Sequence, residues 1–354
     1  MKKLYIGTYT EGLDTSDKTG SLGIYICQLD EDLSQVKLIS TAFAGVNPSY
    51  LALGQECLYA ANEKNGFGRI TALRITEDGK GLEVLNEVVI PNASATCQIA
   101  LDAVNRTLYA ANYDSGSIAS IPIAKEGNLL SPSRVILHTG HGAIKGRQDS
   151  AHAHSVNPAP SGKYLIAADL GMDSLILYKT GGVGKLDCAA GHSGVRLVGQ
   201  GARSLAYHPN GKRFYLSAEI SGRLLAFDFD PETGNMRQIQ EISTLPEGYK
   251  GENLVSHVEV SRRGDYVFAA NRIHDSVVAY QVDPEQGTLR FSDRTASGGR
   301  WPRHFAVTEK ADCLVVANHL SDNVTAIPFE PRTGKFGEPC WSISIPAPAY
   351  VGMK

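Results

Sequence analysis

The 354-residue sequence lacks the features of several large protein classes. It has no run of about 18 apolar residues, so no membrane-spanning helix is predicted. Its start, MKKLYIGTYT, has two lysines but no apolar core of signal-peptide length, and we therefore expect a soluble, cytoplasmic protein. The 34 lysines and arginines nearly balance the 37 aspartates and glutamates, which gives no electrostatic reason to expect a nucleic-acid partner.

Long helical patterns are also missing. No stretch rich in Ala, Glu, Lys and Leu repeats its apolar residues with a period of 3.6, whereas glycine (36 residues), proline (16) and tyrosine (15) are frequent. This composition argues against a helical protein and predicts many short strands separated by turns. The length alone is compatible with two average domains or with one large all-β domain.

The six cysteines include no CxxC pair. Several of them lie inside apolar, strand-like runs such as DCLVVAN (312–318). We therefore expect buried, reduced thiols and not a disulfide framework. The cysteines are Cys27, Cys57, Cys97, Cys188, Cys313 and Cys340.

What the sequence does contain is a repeat. A strand of small residues, a turn and a second strand ending in AAN or a close variant recur along the chain. The continuous copies are residues 50–63, 98–113, 155–170, 204–220, 257–272 and 304–319. A seventh copy is split: its second strand is LYIGTY (4–9), and its first strand is APAYVGM (347–353).

Each copy is followed by an alternating strand that ends in an acidic or glycine-containing turn, as in RLLAFDFDPETG (223–234). Equivalent positions at the ends of the second strands, from Thr8 to Asn318, are 47 to 57 residues apart, which is enough for a four-stranded antiparallel sheet. Seven such sheets predict an all-β, seven-bladed β-propeller in which the N- and C-terminal strands share one blade. We expect residues 1–354 to form one such domain.

Aligning the copies places equivalent residues around the central channel. The first ring consists of the residues that enter the innermost strands: Ser49, Cys97, His154, Arg203, Ser256, Arg303 and Ala349. The second ring directly follows the second strands: Tyr9, Glu63, Tyr113, Leu170, Glu219, Arg272 and His319. Positions needed only for packing favour small apolar residues, but these vary in chemistry. We therefore expect an asymmetric site with arginines that bind an anion and with Glu and His that transfer protons.

Each of these candidates also has a purely structural interpretation. Arg203, Arg272 and Arg303 could form salt bridges between blades, with Glu63 and Glu219 as their partners. The Asn and Asp residues at the ends of the second strands are expected to hydrogen-bond turns.

The longest irregular segment, residues 137–151, leads into His152 and His154. A long loop in a compact domain is more often functional than idle. Alternate residues share one face of a strand, so the two histidines have the spacing of metal ligands, but a third ligand is not evident and only His154 belongs to a ring. We therefore expect His154 to face the channel, His152 to contact substrate from the rim, and neither a metal nor another cofactor to be required.

Four segments carry a resemblance to a known family: GRQDSAHAHSVNPAPSGKYLIAADLGMD (146–173), GARSLAYHPNGKRFYLSAE (201–219), GDYVFAANRIHDSVVAY (264–280) and WPRHFAVTEKADCLVVANHLSDNV (301–324). With them the sequence resembles the seven-bladed propeller lactonases, which include 6-phosphogluconolactonases and carboxymuconate-lactonising enzymes. The resemblance implies a lactone hydrolase, and most specifically a 6-phosphogluconolactonase of the pentose phosphate pathway that acts on an anionic sugar lactone without a metal. A lactonising cycloisomerase and a non-catalytic binding propeller are the alternatives.

In the cyclase branch of this family a His, two Arg and a Glu are implicated in catalysis. The matching positions are His154, Arg203, Glu219 and Arg272, all of which belong to the two rings. Either Glu219 or His154 would act as the general base with the other as the acid, and the two arginines would bind the oxyanion and the anionic group of the substrate. We also expect a monomer or a weak homo-oligomer. The predicted substrate-binding residues are His152, Glu63, Arg303, His319 and His257.

Overall fold

The structure, a computed structural model, describes residues 2–13, 15, 17–30, 33–189 and 194–354. These residues form 30 strands, numbered β1 to β30 along the chain, in seven antiparallel sheets. Helical structure in the described ranges is limited to a 3₁₀ turn, His319–Ser321, and none of it is long and apolar enough to cross a membrane.

Each sheet has an innermost strand, two middle strands and an outer edge. The innermost strands are β4 (Pro48–Leu53), β8 (Thr96–Asp102), β12 (Ala153–Pro158), β17 (Ala202–Tyr207), β21 (Val255–Val260), β25 (Pro302–Val307) and β30 (Pro348–Met353). The second strands, in the same order of sheets, are β5 (Cys57–Lys64), β9 (Thr107–Asn112), β13 (Tyr164–Asp169), β18 (Arg213–Ala218), β22 (Tyr266–Asn271), β26 (Cys313–Asn318) and β1 (Lys2–Thr8).

The third and outer strands follow in the same order of sheets. The third strands are β6 (Phe67–Ile75), β10 (Ser117–Pro122), β14 (Ser174–Lys179), β19 (Arg223–Phe229), β23 (Ser276–Val282), β27 (Asn323–Glu330) and β2 (Ile24–Leu29). The outer strands are β7 (Leu82–Ile90), β11 (Arg134–Leu137), β15 (Asp187–Cys188) with β16 (Val195–Arg196), β20 (Met236–Ser243), β24 (Leu289–Ala296), β28 (Lys335–Phe336) with β29 (Trp341–Ser344), and β3 (Val36–Ala42).

The innermost strands close a ring. Each contacts the innermost strand of the next sheet, from β4 through β8, β12, β17, β21 and β25 to β30, and β30 contacts β4 again. The seven-bladed propeller is therefore confirmed. Two sheets depart from four strands because their outer strand is divided into two short pieces, β15 with β16 and β28 with β29.

The split seventh copy also forms as predicted. Strand β1 pairs with β30 on one side, where Ile6 lies opposite Val351, and with β2 on the other. Two segments from opposite ends of the sequence thus share one sheet, and this pairing closes the ring of seven sheets.

The residues at the ends of the second strands are structural, as expected. Asn62 is fully buried, and its amide donates to the carbonyl groups of Ala44 and Val46. Asn271 is likewise buried and donates to the carbonyl of Thr244. In both sheets the side chain ties the second strand to the connection that enters the innermost strand of the same sheet, next to the ring residues.

The prediction of buried thiols is correct for four cysteines and wrong for two. All six are free, and Cys188 and Cys340 are exposed. Cys188 lies in the outer strand β15, and Cys340 directly precedes β29. Both positions are at the rim of the propeller, where an outer strand has no neighbouring strand on one side and its side chains reach solvent.

Candidate active site

The first-ring residues occupy β-bulges. Between β12 and β13, Ala153 pairs with Asp169 and Ser155 pairs with Ala168, so that His154 has no partner in the register. An irregularity occurs at the equivalent position in all seven sheets. A bulge turns a side chain out of the regular alternation and is common beside active sites. Several of these side chains line one central cavity: Ser49, Cys97, His154, Arg203, Arg303 and Ala349.

One position departs from the predicted ring. Between β21 and β22 the register omits both Ser256 and His257, and it is His257 that lines the cavity. Ser256 is buried, and its carbonyl instead accepts a hydrogen bond from Nη1 of Arg203 in the neighbouring sheet.

The second ring is fixed by a repeated backbone hydrogen bond. In every sheet the second-ring N–H donates to the carbonyl two residues before the first-ring residue, as from Glu219 to Gly201 at 2.8 Å. In four sheets the accepting residue is not glycine and has a φ of 44° to 62°. Such left-handed backbone is unfavourable for these residues and persists where the surrounding structure imposes it. This recurring backbone hydrogen bond thus holds the first-ring and second-ring residues of each sheet close to each other. The four residues are Asn47, Ala95, Trp301 and Ala347.

Glu219 is the centre of a cluster of charged side chains. Its Oε2 lies 2.9 Å from Nε of Arg203, 2.5 Å from Nη2 of Arg272 and 3.8 Å from Nε2 of His154. Its Oε1 lies 2.5 Å from Nη2 of Arg147. The carboxylate side chain is only 4% exposed. These five residues, the Glu219 cluster, include all four residues predicted to be catalytic.

The surroundings set the protonation of this cluster. Burial alone would raise the pKa of Glu219, but the charges of Arg272 and Arg203 outweigh burial and hold the pKa well below its usual range. Burial lowers the pKa of His154, and the charge of Arg203 lowers it further, to well below 6.5. At neutral pH the cluster therefore contains a carboxylate and a neutral imidazole that can accept a proton.

Some N–H groups of the cluster lack a hydrogen-bond partner in the described part of the chain. These are Nε of Arg203 and both Nε and Nη2 of Arg272, all of them buried. Nε of Arg203 and Nη2 of Arg272 form ion pairs with Oε2 of Glu219 at 2.9 and 2.5 Å, although they are not aligned as a hydrogen bond requires. Because buried donors are normally paired, these guanidinium groups are well placed to receive an acceptor oxygen from a bound molecule. Arg272 is also held over the ring of Trp301, 5.4 Å from its centroid.

A second cluster surrounds Glu63, three sheets away around the ring. Oε2 of Glu63 accepts hydrogen bonds from the hydroxyl groups of Tyr9 (2.5 Å) and Ser49 (2.7 Å). Arg303 lies 3.5 Å from the same oxygen and also donates to the Tyr9 hydroxyl. These four residues form the Glu63 cluster. Both clusters border the central cavity, so a molecule bound there would meet the two of them.

Comparison with known proteins identifies the family. The model described as "Lactonase, 7-bladed beta-propeller" matches residues 3–353. The chain belongs to this lactonase family. The 6-phosphogluconolactonase of Bacillus subtilis (strain 168) is 34% identical to this lactonase over 303 residues, which cover 85% of this chain and 83% of that protein.

Solved structures agree over nearly the full length of this lactonase. The periplasmic gluconolactonase of Pseudomonas aeruginosa superposes with a TM-score of 0.90 at 30% identity, covering 99% of this chain and 98% of the other. A protein from Lactobacillus plantarum superposes with the same TM-score at 27% identity, with both chains covered completely. The predicted family and lactone-hydrolysing class are thereby confirmed.

His152 and His154 have different surroundings, as the ring alignment predicted. Nδ1 of His152 lies 3.0 Å from the carbonyl oxygen of Tyr113, and the two rings stack with centroids 4.6 Å apart. His152 therefore lies beside the Glu219 cluster and outside it. Within the described ranges, no group of three or more His, Cys, Asp or Glu side chains is arranged to hold a metal ion. A contact between His152 and substrate stays a prediction.

Two other predicted binding residues lie at different depths. His319 packs edge-on against Tyr9 of the Glu63 cluster, with centroids 5.3 Å apart, and burial lowers its pKa to about 4. His257 lies further along the channel, stacked on His304 at 3.8 Å and 3.8 Å from Oε2 of Glu259. The roles of His319 and His257 in substrate binding therefore stay predictions, and His257 would require a ligand that reaches deep into the channel.

The sequence prediction missed Arg147. Segment 137–151 was expected to be functional because of its length, but the ring alignment cannot assign its residues, since most of the equivalent connections between blades are much shorter. Arg147 is the only arginine in that segment. An arginine inside the longest connection between two blades was the available signal. Tyr9 and Ser49 were placed in the rings but given no role, because their partner Glu63 could not be seen from the repeat.

Proposed function

We propose that this lactonase hydrolyses 6-phospho-D-glucono-1,5-lactone to 6-phosphogluconate. The observation that carries the proposal is the charge of the channel mouth. The four guanidinium groups of the two clusters face only two carboxylates, which leaves two positive charges when His154 is neutral. A phosphate monoester carries a charge of about −1.5 to −2 at pH 7, so it matches this excess. The name of the B. subtilis relative specifies the same substrate.

In the proposed mechanism His154 is the general base. A water molecule in contact with both His154 and Glu219 would give its proton to the neutral imidazole as it attacks the lactone carbonyl carbon. Glu219 is too strongly paired with arginines to be the better base, but its negative charge stabilises the imidazolium that forms. The 3.8 Å between Nε2 of His154 and Oε2 of Glu219 is compatible with this division of roles.

The arginines supply the remaining chemistry. The N–H groups of Arg203 and Arg272 that make no well-aligned hydrogen bond to Glu219 stabilise the oxyanion of the tetrahedral intermediate. As the intermediate collapses, the bond between the carbonyl carbon and the ring oxygen breaks, and the His154 imidazolium returns its proton to the departing alkoxide. The reaction consumes one water, opens one ester bond and needs no other reactant. We further expect it to occur in the cytoplasm, which stays a prediction because the P. aeruginosa relative is named as periplasmic.

The test is a hydrolysis assay on freshly prepared lactones. Wild type should hydrolyse 6-phosphogluconolactone, with and without a chelator, and Arg203→Ala should lower kcat at least about tenfold, because one oxyanion donor contributes about 10²–10³-fold. Arg237→Ala, which removes an exposed arginine from β20, is the matched control and should keep full activity. If no lactone is hydrolysed, the proposal is wrong. If a carboxymuconate is cyclised instead, the site runs the ring-closing reaction.

A further inference from the structure

Arg147 is held differently from the other arginines of the Glu219 cluster. It lies on a loop that leads into β12, whereas Arg203 lies in β17 and Arg272 directly follows β22. Its side chain is 37% exposed, against 8% for Arg203 and 7% for Arg272. It contacts Oε1 of Glu219, while the other two contact Oε2. Arg147 can therefore leave the cluster without disturbing a strand or the other two ion pairs.

The loop that carries Arg147 is itself fixed. The buried side chain of Gln148 accepts two backbone N–H groups of the loop and donates to the carbonyl of Leu170 at 2.9 Å. At the start of the loop, Nδ1 of His138 lies 2.7 Å from Oδ2 of the buried Asp169. These contacts restrain the backbone, so movement is expected in the Arg147 side chain alone.

There is room for that movement. A groove on the same face is lined by Arg147, Ser221, Leu245, Asn253 and Ile273, among others. Arg147 thus lines this groove and also contacts Glu219. A substrate whose carbonyl lies at Glu219 and whose far end projects towards the groove would pass the Arg147 guanidinium.

We propose that Arg147 is a specificity-determining residue that binds the phosphoryl group of the substrate and, in doing so, releases Oε1 of Glu219. This inference rests on the proposed function. A guanidinium forms paired hydrogen bonds with a phosphate dianion, whereas it contacts Glu219 through one nitrogen only. When Arg147 leaves, the charge of Glu219 acts more strongly on His154 and stabilises its protonated form during water attack. A lactone without phosphate leaves Arg147 on Glu219 and reacts more slowly.

The test compares phosphorylated and unphosphorylated substrates. In Arg147→Ala, the ratio of kcat/KM for 6-phosphogluconolactone to that for gluconolactone should fall at least about tenfold, as expected for loss of a charged hydrogen bond. Phosphite dianion can stand in for the phosphoryl group that gluconolactone lacks. Its addition should accelerate gluconolactone hydrolysis by wild type and not by Arg147→Ala. Arg147→Lys should recover part of the ratio because it keeps the charge. Lys145→Ala removes an exposed cation from the same loop and should behave as wild type.

A binding measurement separates failure of this inference from failure of the proposed function. By calorimetry, wild type should bind 6-phosphogluconate more tightly than gluconate, and Arg147→Ala should lose this preference even if no lactone is turned over. Equal loss of activity towards both lactones with an unchanged binding preference would overturn the inference. So would loss of the preference in Arg303→Ala with retention in Arg147→Ala, because the phosphate would then bind at the Glu63 cluster.

Discussion

Two buried carboxylates lie at the channel mouth of this lactonase, and their interaction partners differ in kind. Glu63 accepts hydrogen bonds from two neutral hydroxyl groups and has one arginine at 3.5 Å. Glu219 meets three guanidinium groups and an imidazole, and several of the N–H groups around it are unpaired. In the first arrangement, one carboxylate oxygen, Oε2, receives its donors from within the cluster. The second leaves donors and positive charge for another anion, which is what an oxyanion or a phosphate requires.

The energetics of burial support this distinction. An ionised group is costly to bury unless its hydrogen bonds are completed, and a fully satisfied polar network makes a structure more rigid. In the Glu63 cluster the donors to Oε2 are neutral hydroxyl groups within hydrogen-bonding distance, so we expect this cluster to support the wall of the channel. The Glu219 cluster keeps unsatisfied buried donors, which reduce stability, and such groups are characteristic of sites that gain their partners on binding.

The largest expected effect comes from neutralising each carboxylate in turn. Glu219→Gln should lower kcat for lactone hydrolysis by at least about tenfold and by as much as about 10⁴-fold, because it removes the charge that stabilises the protonated His154. Glu63→Gln should lower kcat by less than about tenfold, since Glu63 does not contact the reacting groups in the proposed mechanism. Initial rates on 6-phosphogluconolactone, together with thermal unfolding to confirm folding, measure both. Equal losses would show that the two carboxylates do not differ in role.

The repeat explains why so much of the Glu219 cluster could be predicted. His154, Arg203, Glu219 and Arg272 are distant in sequence, but equivalent positions of a propeller converge on one channel, so aligning the copies brought them together. The bulge gives the physical reason for the first ring, because it turns most of its side chains towards the central cavity. Alignment of the copies could not decide whether Ser256 or His257 lines the cavity, since the irregularity in the strand pairing there spans both residues.

The features of the site that the repeat could not predict depend on loops and side-chain contacts that differ from copy to copy. Arg147 comes from the longest connection between two blades, and residues of such a connection have no counterpart at fixed spacing in the other copies. The pairing of Tyr9 with Glu63 joins a residue after β1 to a residue in β5, and its hydrogen bond depends on side-chain conformations that no pattern encodes. Likewise, Cys188 and Cys340 are in strand-like sequence, but their exposure depends on which strands are outermost.

The second prediction tests the stability assigned to the Glu63 cluster. Tyr9→Phe removes the hydroxyl that donates to Glu63 at 2.5 Å and that contacts Arg303. We expect the free energy of unfolding to fall by about 1.5–3 kcal/mol, the range for a hydrogen bond to a charged group. Urea denaturation of the variant and wild type measures the difference.

A matched control for this change is Tyr207→Phe. The Tyr207 hydroxyl is also buried, but it has no hydrogen-bond partner among the residues that the structure describes. Its removal should therefore leave the free energy of unfolding unchanged or slightly raise it. If both variants lose the same stability, the Tyr9 hydroxyl contributes no more than a buried hydroxyl without a hydrogen-bond partner, and the proposed structural role of the Glu63 cluster is wrong.

The smallest expected effect concerns proton binding in the Glu219 cluster. Burial and Arg203 disfavour the charged imidazole and lower the pKa of His154, so the neutral base should persist as the pH falls below 6.5. A histidine with an ordinary pKa would be about three-quarters protonated at pH 6.0, and its activity would fall about fourfold from that at pH 7.5. For wild type acting on gluconolactone, which has no phosphate group that titrates at about pH 6, we expect a change of kcat/KM smaller than about twofold over this interval.

The same pH profile distinguishes the two clusters. Arg203→Gln removes one of the charges that lower the pKa of His154, so the acid limb of kcat/KM should shift upwards, towards 6.5, even though the absolute rate falls. Glu63→Gln removes a charge that is three sheets away around the ring, and the position of its acid limb should match that of wild type. An acid limb near 6.5 in wild type, or equal shifts in both variants, would mean that the arginines at Glu219 do not control the protonation of the base.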